Sequence, residues 1–322
     1  MSTSHGEPGN MDTKQKLRAL LKEKDYIYTF GIHNPMTAMI AERLGFEMVY
    51  MGGHDTTVTL LGMPDIGLIT ATEMIGNARN IARAVNVPVL ADADTGYGNA
   101  MNVMRTVQDY EAAGVAGIHI EDQVSPKRCG QAAGKAIIPM EEAVGKIRAA
   151  LDARKDRNFV IMARTDAISA AGGGFDEALK RAKAYAGVGA DMIFCEFPSM
   201  DPEVPRKFAR EIHRDFPDLP LYYNYCTRYK WHEAPQSFKD IAAMGYKVIN
   251  ISTAAMRVSM KSVWDYAADV MKNQEQAEIR FEKALIGHPT EDFHQFSGLS
   301  RIKDLESKYL SAEDVRYKYG EK

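Results

Sequence analysis

The sequence predicts a (β/α)8 barrel, and three observations carry that expectation. Short, near-continuous apolar runs rich in β-branched and aromatic residues recur eight times between Tyr26 and Ser252. Several of the segments between them repeat apolar residues every three or four positions, the helical period. Polar residues gather where the apolar runs end, which is where such barrels build their sites. Strands buried on both faces that alternate with helices imply a parallel sheet. An open doubly wound sheet is the alternative, but no Gly-x-Gly-x-x-Gly turn follows the first run.

The runs are YIYTFGI from Tyr26, MVYMGG from Met48, VPVLADAD from Val87 and GIHIED from Gly117. FVIMARTD from Phe159, MIFCEF from Met192, LYYNY from Leu221 and VINIS from Val248 complete the set. Helical patterns such as ATEMIGNARNIARAV and MNVMRTVQDYEAAG lie between them, several stopping at a glycine as a helix end should. Residues 13–252 therefore form the barrel, preceded by a flexible polar segment, 1–12. From residue 253 an apolar helix and then charged helices read as a C-terminal extension, 253–322.

The chain has 322 residues, with 45% hydrophobic and 26% charged content, and can bury a sizeable core. A net charge of −3 argues against nucleic acid as a partner. There is no signal region and no apolar run long enough to span a bilayer. Three scattered cysteines, Cys129, Cys195 and Cys226, do not make a disulfide framework, so a cytoplasmic location is expected.

Residues 87–131 carry the chemistry. Asp92 and Asp94 end one run and Glu121 and Asp122 end the next, followed by a loop with Lys127, Arg128 and Cys129. Hard acidic ligands beside a thiol among cations describe a divalent-metal site with a reactive cysteine. Cys195, inside MIFCEF, reads as core.

Five blocks, GMPD (62–65), DADTGYGN (92–99), EDQVSPKRCG (121–130), ARTDA (163–167) and NYCTRYKW (224–231), resemble the phosphoenolpyruvate mutase/isocitrate lyase superfamily. The likeness runs over residues 13–310. PKRCG with Gly134 and Lys135 downstream resembles the lyase branch, which includes isocitrate, 2-methylisocitrate and 2,3-dimethylmalate lyases. One branch of oxaloacetate hydrolases and carboxyphosphonate mutases keeps the cysteine as well.

The resemblance implies a Mg²⁺ cofactor, with Mn²⁺ as a substitute, on Asp92, with Asp94 and Glu121 direct or through water and Asp65 as an outer-shell acid. Arg164 is implied as the grip on an α-keto-acid carboxylate, a structural ion pair being the other reading. Gly52, Gly53 and the His54 backbone hold the same carboxylate, although the family often has Ser where Gly52 stands. Tyr50 is a candidate to take the 2-hydroxyl proton, or else fills the barrel. Cys129 exchanges a proton with the carbanion, its pKa lowered by Lys127, Arg128 and Lys135. Glu196, Asn224, Arg228 and Ser252 complete the substrate site. His119 orients Glu121 or is a core histidine.

Two departures stand out. Gln131 replaces the histidine usual after Cys-Gly, and Cys226 and Arg228 replace two serines of isocitrate lyases. The expected activity is Mg²⁺-dependent carbon–carbon cleavage of a 2-hydroxy di- or tricarboxylate. Its products are glyoxylate or pyruvate and a succinate- or propionate-like acid. An oxaloacetate hydrolase or decarboxylase and a phosphonate mutase or hydrolase are the alternatives. A homodimer or homotetramer that exchanges a C-terminal helix is implied, with a small-molecule carboxylate as substrate.

Overall fold

The computed structural model of the chain describes residues 11–130, 132–227, 229–311 and 314, in two compact units. The expectations for Gln131, Arg228 and residues 1–10 lie outside the described residues. The first unit extends to Val258. It opens with α1 (Thr13–Glu23), whose N-cap Asp12 closes a capping box with Gln15. Then follow β1 (Ile27–Ile32), α2 (Pro35–Arg43), β2 (Val49–Met51), α3 (Gly53–Leu61), α4 (Ala71–Ala84) and β3 (Val89–Asp92). Next come α5 (Ala100–Ala113), β4 (Gly117–Glu121), α6 (Met140–Ala153), β5 (Val160–Thr165), α7 (Phe175–Gly187) and β6 (Met192–Cys195). After α8 (Glu203–Asp215), β7 (Leu221–Cys226), α9 (Phe238–Ala243) and β8 (Val248–Ser252), α10 (Ala254–Asn273) begins.

All neighbouring strands pair in parallel, and β8 returns to β1, with Ile27 beside Val248, to close the barrel. The eight expected strands are thus all present. Glycines end the preceding turns as expected: Gly114 caps α5 in the left-handed region at φ 94°.

The two-residue period of a strand sorts side chains between two cores. Met48, Tyr50, Leu90, Met162, Phe194 and Tyr222 form an interior cluster, joined from the amino-terminal side by Leu17 and Leu21 of α1. Val49, Ala91, Ile118, Ile161 and Ile193 pack outward in the larger cluster of strands and helices. Cys195 falls on this outer side and is 1% exposed, in the core as expected. The same alternation turns Asp92, His119, Glu121 and Arg164 inward at the carboxyl ends.

The second unit, Ser259–Lys322, holds the rest of α10 with α11 (Glu275–Leu285), α12 (Phe293–Phe296) and α13 (Leu299–Tyr309). Within it Tyr266 packs on Phe281 with ring centroids 5.0 Å apart. Trp264 and Met271 are 77% and 86% exposed. No helix among the described residues is long and apolar enough to cross a membrane.

Close strand packing gives one direct test. A Cβ on Gly117 would lie 2.6 Å from the Val160 carbonyl oxygen and 2.7 Å from its Cβ. Gly117→Val should lower unfolding free energy by about 1–3 kcal/mol in urea titrations, the usual cost of overpacking.

Candidate active site

At the carboxyl ends of the strands lies a cavity of about 480 Å³, lined by Tyr50, Gly52, Gly53, His54, Asp65, Asp92, Lys127, Cys129, Arg164, Glu196, Asn224 and Ser252 among others. That volume suits a small carboxylic acid. Most of the expected site residues therefore meet in one place. Arg128 does not line the cavity, and its side chain is exposed.

Two buried cations organise the acids. Lys127, 4% exposed, reaches Asp65 at 2.6 Å and Asp94 at 2.9 Å. Burial opposes its charge, but Asp94, Asp65 and Glu121 outweigh that and hold it protonated. Arg164 stacks over Phe194 at 4.7 Å and donates through Nε and Nη2 to Asp166, at 2.8 and 3.1 Å. Its Nη1 lies 3.2 Å from Glu121 and its Nη2 3.6 Å from Glu196. Lys135, fully buried, donates to Asp166 and to the Gly130 carbonyl. The ammonium groups expected to lower the Cys129 pKa are thus committed to carboxylates, because each is too deeply buried to stand without a counter-charge.

Asp92 is held by three neighbours. It accepts from the Gly53 and Asp94 amides at 3.0 and 2.8 Å, and His119 Nε2 lies 3.0 Å away. Burial would raise its pKa, but His119, Lys127 and Arg164 hold it well below the usual carboxylate range. The Gly53 amide is therefore given to Asp92 rather than left for substrate. His119 does not orient Glu121; its Nδ1 meets the Tyr50 hydroxyl at 2.9 Å. Burial holds the Tyr50 phenol well above its ordinary pKa, so Tyr50 remains protonated and is a poor base for a hydroxyl proton. Asp122 faces away from the cavity, toward Tyr185 and Arg181.

The remaining acids lack sufficient positive charge. Burial holds Glu121 well above the usual range despite Arg164 and Lys127, and neither of its oxygens has a hydrogen-bond partner. Asp94 is raised to about 6 by burial and by Asp92 and Asp65, against Lys127. Hard, partnerless carboxylate oxygens with a charge deficit fit Mg²⁺ or Mn²⁺. Among the described residues, however, the trio of ligand atoms lying within 4.8 Å of one another is His54, Asp65 and Cys129. Asp92, Asp94 and Glu121 are spread more widely, as coordination partly through water would require.

Loop geometry supports these contacts. Asp94 and Tyr97 adopt φ of 47° and 59°, flanking Gly96, where a Cβ would meet Val103 at 2.4 Å. The Cys129 amide donates to the Asp65 carbonyl at 3.0 Å, joining the thiol loop to the GMPD turn. Trp231 stacks on Tyr225 at 4.0 Å and donates to the Cys226 carbonyl, bracing the β7 loop.

Sequence reasoning missed Asp55, Asn250 and Thr253, which also line the cavity. Asp55 lies in GGHDT just after β2, and its place beside the already suspected Gly52 and Gly53 was the available signal. Asn250 lies on the inward register of β8, two residues before the suspected Ser252.

Two outcomes follow from the geometry. A Cβ on Gly130 would lie 2.3 Å from Arg164 Nη2, so Gly130→Ala should cut kcat/KM at least tenfold with a small change in Tm. Asp55 is raised to about 7, chiefly by burial and then by Asp65 and Asp92. Between about pH 4 and 7 the folded protein therefore binds a proton that the unfolded chain does not, and stability falls as pH rises. Asp55→Asn should be more stable than the parent by roughly 2–4 kcal/mol at pH 7, with the gap closing near pH 4 in denaturant titrations.

Comparisons with known proteins agree with this arrangement. The phosphoenolpyruvate phosphomutase family model matches residues 17–271. A 2,3-dimethylmalate lyase of Eubacterium barkeri is 41% identical over 94% of this chain and 99% of its own. The isocitrate lyase of Haloferax volcanii is 38% identical over 92% of this chain and 86% of its own. A phosphonopyruvate hydrolase solved with oxalate and Mg²⁺ superposes with a TM-score of 0.80 at 31% identity, covering 94% of this chain and 100% of its own. The chain belongs to the phosphoenolpyruvate mutase/isocitrate lyase superfamily and is an enzyme of its lyase branch.

Proposed function

We propose that the enzyme splits the carbon–carbon bond of a 2-hydroxy di- or tricarboxylate, releasing an α-keto acid and a succinate- or propionate-like acid. The supporting observation is that Cys129, Arg164, Asp92 and Asp65 line one cavity, with Asp94 and Glu121 joined to it through Lys127 and Arg164. Named relatives act on isocitrate and 2,3-dimethylmalate, which are acids of this class.

Asp92, with Asp94, Glu121 and the outer Asp65, would hold Mg²⁺, or Mn²⁺ in its place. When bound, the ion supplies Lewis-acid polarisation of the substrate's oxygens. Arg164, already fixed by Asp166, meets the carboxylate beside the hydroxyl. The first turn of α3 has no side-chain cap, so the amides of Gly52 and His54, on either side of the Gly53 amide that Asp92 takes, favour the same anion. Tyr50, kept protonated, serves as hydrogen-bond partner to the hydroxyl rather than as its base. As the hydroxyl proton passes to solvent water at the cavity mouth, that oxygen becomes a carbonyl and the carbon–carbon bond breaks. The electron pair stays on the departing carbon, which takes the proton of the Cys129 thiol. Glu196 and Asn224, held together at 3.1 Å, and Ser252 flank the distal part of the substrate. The loop 121–135 carries Cys129 over the site and keeps water from the carbanion.

A product screen with isocitrate, 2-methylisocitrate, 2,3-dimethylmalate and oxaloacetate tests the reading. One of the hydroxy acids should give a keto acid, with kcat about 10²–10⁴-fold lower in Cys129→Ser and activity abolished by EDTA. Turnover of oxaloacetate alone would overturn it in favour of hydrolase or decarboxylase chemistry. The exposed apolar side chains of the second unit, Trp264 and Met271 among them, support assembly into dimers or tetramers. Light scattering should give a multiple of the 35.8 kDa chain, and Trp264→Asp should shift it toward monomer.

A further inference from the structure

Asp55 is a buried acid in the cavity wall that the proposed chemistry does not use. It stands in the first turn of α3, 1% exposed, beside the Gly52–His54 anion site. Its carboxyl accepts the backbone N–H of Thr253, itself held in the left-handed region at φ 55°. Its Oδ2 would lie 3.2 Å from a Cβ on Gly52, so the group is confined next to the carboxylate-binding end. Oδ1 is buried without a hydrogen-bond partner.

We infer that Asp55 is a specificity-determining residue, selecting an α-keto-acid moiety that bears a hydroxyl group over one that bears only a methyl or hydrogen. This rests on the lyase reading above. A methyl group against Oδ1 would leave a buried polar atom unpaired. A second substrate carboxylate would face Asp55, Asp65 and Asp92 together. A hydroxyl group donates to the carboxylate form and accepts from the protonated form, so it satisfies Asp55 in either state.

The test runs the reaction in the condensation direction, where the α-keto acid is varied alone. There the carbon–carbon bond forms between the keto carbon and the α-carbon of the dicarboxylate. That carbon gives up a proton, and the keto oxygen gains one. Hydroxypyruvate, pyruvate and glyoxylate are compared by kcat/KM, and by calorimetric Kd in the presence of Mg²⁺. The parent enzyme should favour hydroxypyruvate over pyruvate about tenfold or more. Asp55→Ala should bring that ratio to one or below, while Asp55→Asn, which keeps a donor and an acceptor, should retain most of it. An unchanged ratio in Asp55→Ala, or a parent preference for pyruvate or glyoxylate, would overturn the inference. If no keto acid turns over in the parent, the lyase reading fails, and the calorimetric ratio still decides the role of Asp55.

Discussion

The contact on which the site depends is the bridge from Lys127 to Asp65 and Asp94. Asp65 comes from the turn after α3, Asp94 from the turn after β3 and Lys127 from the loop after β4. Three separate segments thus meet on one ammonium group, in a place nearly closed to water. Removing one partner of such a buried set costs about 3–5 kcal/mol, because the remaining charges are left without compensation. The bridge also fixes the start of the segment that presents Cys129, whose amide is tied to Asp65 a second time through the backbone. Arg164, on the neighbouring strand β5, plays the equivalent part among Asp166, Glu121 and Glu196.

The wall that these cations hold together remains acidic overall. Asp92 is kept ionised by its contacts, whereas Glu121, Asp94 and Asp55 are pushed toward their neutral forms by burial and by one another. Such a set is poised for an added cation and disfavours an unaccompanied polyanion. Lyases and a hydrolase solved with oxalate and Mg²⁺ resemble this chain, so one scaffold serves more than one reaction on small acids. Within that scaffold the identity of residues facing the bound acid decides which acid is taken.

Much of this was legible before any coordinates. Every strand was recognisable because a parallel sheet covered on both faces leaves unbroken apolar runs, and carboxylates at their ends marked the mouth. Strand alternation carried Asp92 to the inside, whereas Asp94 reaches the site from the turn that follows. Partner choice was less legible. Lys127 and Lys135 are next to Cys129 in the chain, yet their ammonium groups are spent on Asp65, Asp94 and Asp166, which arrive from other segments. His119 is two residues from Glu121, yet its ring meets Asp92 on the neighbouring β3 and Tyr50 on β2. Asp55 was missed, and its backbone partner, Thr253, stands nearly two hundred positions away. Sequence proximity is a poor guide wherever long-range charge pairing sets the environment.

The depth of the Lys127 bridge bears on how the enzyme tolerates salt. Exposed ion pairs weaken as dissolved ions gather around them, with a screening length of about 8–10 Å at ordinary ionic strength. Lys127 and Asp65 each leave only 4% of their side chains exposed, so dissolved ions have little access to the space between them. The attraction that shapes the cavity is therefore largely insulated from the salinity of the surroundings. A change of salt should act first on pairs at the surface, such as Lys24 with Glu47 or Arg105 with Asp109, and leave the charge pattern around the substrate intact.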